Sequence, residues 1–214
     1  MLFFINFKAY KESTGPNAIT LIRNIEKQYG DHPSIIAVLN PLDSLIDTKL
    51  TKFAQTADPL NPGAYTGHIP VGLLGEYHYS GVMINHSECK LTLEKIRDIV
   101  QMASKQGFRT LVCAGDLKEV KEIAAFSPDY IAYEPPELIG GEISVSTAKP
   151  EIIQEAVRLL QGTRSKLVVG AGIKNRNDVR VSKELGAEGI LVSSGVVKSP
   201  EPIGVIIEMM KEVV

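Results

Sequence analysis

Short, continuous apolar runs alternate along this chain with longer stretches in which apolar residues return every three or four positions. The runs at 2–6, 35–39, 52–55, 82–85, 110–114, 130–134, 167–169 and 189–192 lack the alternation of a half-exposed strand, so they predict strands covered on both faces. Between them the spacing turns helical. Over 93–106 the apolar positions Leu93, Ile96, Val100 and Ala103 form one stripe, with Thr92 placed to cap it. Ile152, Ala156, Leu159 and Leu160 repeat the pattern, opened by Pro150 and closed by Gly162. Segments 179–185 and 203–210 predict two more helices.

Strict strand–helix alternation predicts an α/β fold with a parallel sheet and right-handed crossovers. Eight strands in 214 residues leave roughly 27 residues per unit, enough for a closed (β/α)8 barrel. An open doubly wound sheet has the same linear pattern, and periodicity does not separate the two. No linker, low-complexity stretch or charge block interrupts residues 1–214, which predicts one compact domain. The longest irregular piece, 57–67, is rich in Pro, Gly and Asn and too long for a plain connector, which marks it as a functional loop.

Composition narrows the partners. Hydrophobic residues make up 44% and charged residues 22%, with a net charge of −2, so the chain has no nucleic-acid footprint. An anionic substrate must therefore be held by local groups and not by a global field. The apolar opening stops at Asn6 and Lys8, which suits a strand and not a signal peptide. No apolar run is long enough to span a bilayer. Cys89 and Cys113 are too few for a disulfide framework and wrongly spaced for zinc. Cytoplasmic residence, with no membrane and no metal, is the expectation.

In a parallel α/β fold the reactive groups gather at the C-terminal ends of the strands. Those ends here carry Asn6 and Lys8, Gln55, the run Asn85-His86-Ser87-Glu88, Cys113, Glu134, the turn Gly170-Ala171-Gly172, and Ser193-Ser194. A carboxylate, an imidazole and an ammonium beside two small-residue turns suit proton transfer next to a carbonyl on a phosphorylated substrate. Taken singly, each has a plainer reading. A glycine pair permits a tight turn, a strand-end histidine binds backbone, and Cys113 packs a core strand. Glu134, between an apolar strand and two prolines, is poorly placed for an incidental surface carboxylate.

Several of these segments share a likeness. Asn6-Phe7-Lys8 resembles the Asn-x-Lys of triosephosphate isomerases, and Asn85-His86-Ser87-Glu88 resembles that family's His-Ser-Glu segment. The stretch from Ala132 to Gly140, Ala-Tyr-Glu-Pro-Pro-Glu-Leu-Ile-Gly, is similar to its catalytic strand and mobile lid. Pro62-Gly63-Ala64-Tyr65-Thr66-Gly67 resembles its interface loop, and Gly170-Ala171-Gly172-Ile173 its seventh-strand turn. The matches keep the family's order over nearly the whole chain, and their wording is nearest to the short, archaeal-type branch.

The resemblance implies a (β/α)8 barrel that interconverts dihydroxyacetone phosphate and glyceraldehyde 3-phosphate through an enediol, without cofactor or metal. It implies Glu134 as base, His86 as electrophile on a short helix start, and Lys8 with Asn6 as stabilisers of the oxyanion. Glu88 would position Lys8. The phosphate would lie on Asn6, Lys8, Gly140, Ala171, Gly172, Ser193 and Ser194, beneath a lid at 135–143. A homodimer or homotetramer is implied through the 57–67 loop, with Thr66 near the partner's Lys8 or Glu88. The sequence departs from the family's habit at Cys89, at the lid's Gly141-Glu142, at Ser193-Ser194 and after Gln55. The rival functions are another phosphate-binding barrel, such as a sugar-phosphate epimerase, and a catalytically silent relative.

Overall fold

The computed structural model describes residues 1–135 and 150–214. Eight parallel strands close a barrel in sequence order, so the closed alternative is the one adopted. They are β1 (Leu2–Asn6), β2 (Ile35–Leu39), β3 (Thr51–Ala54), β4 (Gly81–Ile84), β5 (Arg109–Ala114), β6 (Tyr130–Tyr133), β7 (Lys166–Val169) and β8 (Gly189–Val192). β1 pairs with both β2 and β8, which seals the ring and leaves the sheet without an edge.

Helices cover the outside: α1 (Pro16–Tyr29), α2 (Leu93–Lys105), α3 (Leu117–Ala124), α4 (Pro150–Leu160), α5 (Arg176–Glu184), the single turn α6 (Ser194–Val197) and α7 (Pro202–Val213). α2 starts where its sequence predicts, the Thr92 hydroxyl accepting from Lys95 N at 3.3 Å. α1 and α3 were not singled out by periodicity. In α1 the stripe Ala18, Leu21, Ile22, Ile25 is present and fully used. α3 is only eight residues long, too short for a repeat to register.

Strict alternation fails at two places. The links 40–50 and 55–80 hold only 3-10 turns, Pro41–Asp43 and Val71–Tyr77, in place of the helices that strict alternation would put there. Pro41, Pro59, Pro62 and Pro70 remove backbone donors that a helix needs. A lysine takes over part of the covering. Lys52 is buried on the outer face of β3, and its ammonium donates to Ser44 O at 2.8 Å and Ile46 O at 3.3 Å. The Tyr79 ring centroid lies 4.8 Å from the same nitrogen, so the charge is paired with carbonyl dipoles and a π-face.

Two cores follow from the period of two along each strand. Phe3, Ile5, Ile35, Ala37 and their equivalents face the helices, while Phe4, Ile36, Val38, Phe53, Met83, Leu111, Tyr130, Val168 and Leu191 fill the barrel. Phe4 anchors the filling, edge-on to Phe53 at 5.7 Å and to Tyr130 at 5.3 Å. The barrel is plugged, and a ligand can enter only at its rim.

Candidate active site

The same period decides what reaches the rim. Inward positions continue from Phe4 to Asn6, from Phe53 to Gln55, from Leu111 to Cys113, from Ala132 to Glu134, from Val168 to Gly170 and from Leu191 to Ser193. One pocket at the C-terminal strand ends is lined by Asn6, Lys8, His86, Glu134, Gly172, Ser193 and Ser194. Residues far apart in sequence thus meet at one pocket. Ala171 does not line it: as the outward neighbour of two inward glycines, it is fully buried in the outer core. Gly140 and the rest of the lid after Pro135 lie outside the described residues.

Glu134 is 4% exposed, and burial pushes its carboxyl up to about 7. The Cys113 thiol, set against the carboxylate, and the Lys8 ammonium partly oppose that rise. Cys113, expected to be packing alone, therefore faces the Glu134 carboxyl, because its place on β5 points into the barrel. Glu134 Oε2 is buried without a hydrogen-bond partner, and His86 Nε2 stands 3.8 Å from it.

His86 does not begin a helix. It opens a single turn, in which Cys89 N donates to His86 O at 2.8 Å, and α2 starts only at Leu93. Within that turn Glu88 N donates to His86 Nδ1 at 3.2 Å. A nitrogen that accepts an N–H carries no proton, so the neutral ring bears its proton on Nε2, facing Glu134. Burial, then the nearby Lys8 charge, lowers the imidazole pKa and keeps it neutral, against the opposing pull of Glu88.

Lys8 sits in a left-handed turn at φ 50, stabilised where its own N–H donates to Asn6 Oδ1 at 3.0 Å. Its ammonium pairs with Glu88 Oε1 at 2.7 Å. Gln55 Nε2 reaches Asn6 Oδ1 at 3.3 Å and Lys8 O at 3.1 Å, so it braces the turn. With Oδ1 committed twice, Asn6 has its amide nitrogen as the free donor end. Beside Asn6 around the ring, just past β8, Ser193 Oγ is buried without a partner next to Ser194, the first residue of α6. Tyr10 and Lys174 also line the pocket. Sequence position alone marks neither, since both stand on loops beyond the strand ends.

A rim that brings a buried carboxylate, a neutral imidazole and an ammonium against an uncommitted polar wall defines the chain as a (β/α)8 barrel with the equipment of a proton-transfer enzyme. The particular family follows from comparison. The triosephosphate isomerase family model matches residues 1–212. The chain is 45% identical over 201 residues to a triosephosphate isomerase of Thermoplasma volcanium, covering 93% of this chain and 94% of the relative. It is 37% identical to one of Methanocaldococcus jannaschii, covering 99% of each. The crystal structure of triosephosphate isomerase from Bartonella henselae superposes with a TM-score of 0.74 at 17% identity, over 99% of this chain and 97% of that one, which speaks for the fold. The chain belongs to the triosephosphate isomerase family.

Proposed function

We propose that Glu134 is the base and His86 the electrophile of the triosephosphate isomerase reaction in this protein. The reaction interconverts dihydroxyacetone phosphate and glyceraldehyde 3-phosphate, an aldose–ketose isomerisation of glycolysis and gluconeogenesis. The carboxylate takes a proton from the carbon beside the carbonyl, leaving an enediol, and returns it to the neighbouring carbon. The Nε2 proton of His86 meets the oxygen on which negative charge develops. Lys8 and Asn6 offset that charge, and backbone N–H groups of Gly172, Ser193 and Ser194 hold the phosphate.

The observation that carries this reading is the 3.8 Å approach of His86 Nε2 to Glu134 Oε2, with no hydrogen bond between them and the pocket opening beside both. A coupled assay on glyceraldehyde 3-phosphate tests it. Glu134→Gln is expected to lose at least ~10²–10⁴-fold in turnover, while inhibition by inorganic phosphate changes little. Turnover within about tenfold of wild type removes Glu134 from the mechanism.

The exposed loop at 61–68 supports a homodimer or homotetramer as the working assembly. Its neck is closed where Asp58 N donates to Ile69 O at 2.7 Å and Lys95 pairs with Asp58 Oδ1 at 2.7 Å, a rigid base for a docking loop. A monomeric mass in solution contradicts this assembly. Among the described residues no helix is long and apolar enough to cross a membrane, in keeping with action in the cytoplasm.

A further inference from the structure

Asn85 lies directly before His86, is 3% exposed and has a left-handed backbone at φ 61. Glycine adopts that conformation freely, and asparagine is among the few other residues that tolerate it. Tolerance does not explain its side chain. Asn85 Nδ2 donates to Cys113 O at 2.8 Å, and Oδ1 accepts from Leu91 N at 2.9 Å. The first bond extends the link between β4 and β5 one residue beyond their last paired positions, Ile84 and Val112. The second closes the loop that carries His86 and Glu88.

Both ends of the amide are thus spent inside the protein, and Asn85 does not line the pocket. Its two partners are informative. Leu91 ends the turn whose Glu88 N–H sets the tautomer of His86, and Cys113 presents its thiol to Glu134. One buried amide therefore connects the loop holding the imidazole to the strand holding the neighbour of the carboxylate.

We propose that Asn85 is a positioning residue that sets the spacing of His86 against Glu134 by bridging the His86 loop to the Cys113 end of β5. The proposal rests on the roles assigned to His86 and Glu134 above. Releasing the bridge lets β4 and β5 part at the rim, so His86 and the carboxylate no longer bracket one substrate position. Misplacement on the ångström scale costs on the order of 10²-fold in rate without a matching loss of binding. It also loosens the thiol from the carboxylate. Glu134 is faced by Cys113, Lys8 and Lys90, which favour its charged form, by Glu88, which disfavours it, and by His86. With the thiol contact weakened, the carboxyl holds its proton to higher pH.

Asn85→Gly separates this role from the backbone conformation, because glycine keeps φ 61 without strain and only the bridge is lost. Steady-state kinetics against pH are measured on this variant beside wild type, Glu134→Gln and His86→Gln, with inorganic phosphate as a competitive probe and circular dichroism as the check on folding. The expected result is a fall in kcat of about 10- to 100-fold, with KM and the phosphate inhibition constant within about threefold. The acid limb of kcat is expected to move to higher pH. An unchanged kcat and pH profile in a folded Asn85→Gly protein overturns the inference and leaves the roles of His86 and Glu134 standing. Parallel weakening of KM and phosphate inhibition also overturns it, because the pocket as a whole has then deformed. Near-normal activity of Glu134→Gln or His86→Gln overturns the underlying assignment instead.

Discussion

A Cβ built on Gly170 falls 2.5 Å from Glu134 Cγ and 2.8 Å from Glu134 Oε1, closer than real side-chain atoms pack. The end of β7 is bare so that the carboxylate from β6 can lie across it. Gly170 belongs to a turn that in sequence suggests only a phosphate loop. Its Cα is also the floor beneath the Glu134 carboxylate.

Gly170→Ala should therefore displace the carboxylate without touching a phosphate ligand. A fall in kcat of about 10²-fold is expected, with KM changed by less than about threefold. Kinetics on the folded variant decide it, and kcat close to wild type means that Glu134 has a second usable position.

The buried acid carries a cost that depends on pH. Its carboxyl titrates at about 7 in the folded chain, against an ordinary value of 4.5. A raised pKa means that folding favours the protonated form, so stability falls as pH rises through that window and the full cost is present above it. Glu134→Gln removes the charge. At pH 8 it should be more stable than wild type by up to roughly 3 kcal/mol, shrinking below about 1 kcal/mol at pH 5. Urea denaturation at both values is the measurement. Equal stability of the two proteins at pH 8 contradicts a desolvated Glu134.

Glu88 should act through Lys8 and not on the reacting carbons. Its side chain is 59% exposed, so the 2.7 Å pair with Lys8 is screened and worth about 1 kcal/mol or less. Glu88→Gln is expected to raise KM by about three- to fivefold while leaving kcat within about threefold. A loss of kcat like that of Glu134→Gln would place Glu88 in direct contact with the chemistry.

Exhaustive chelation should leave turnover unchanged, since among the described residues no group of three or more His, Cys, Asp or Glu side chains is placed to hold a metal ion. Activity lost to a chelator and restored by a divalent cation favours the epimerase-like alternative.

The amino-acid sequence by itself determined the strands and the residues at their ends, because both depend on local order. Doubly covered strands are mostly apolar, and all eight appear within one residue of the predicted boundaries at either end. Asn6, Lys8, His86 and Glu134 are legible because each ends such a run or lies within two residues of its end, and order alone assigns them to one rim. Only the tertiary structure decided what depends on neighbours distant in the chain. Barrel closure rests on β1 pairing with β8, which a local period does not encode. That Lys52 is buried and bonded to the Ser44 and Ile46 carbonyls of the link before β3 is likewise absent from the apolar pattern. Cys113 reads as core filling until β5 is seen to turn it toward Glu134, and the side chain of Ala171, just past β7, packs in the outer core. Asn85 gave no local sign of its bridge to Cys113 O, 28 residues further along the chain. Period and composition report which faces are apolar. Which polar atoms meet across adjacent strand ends is settled by the curvature and register of the closed sheet.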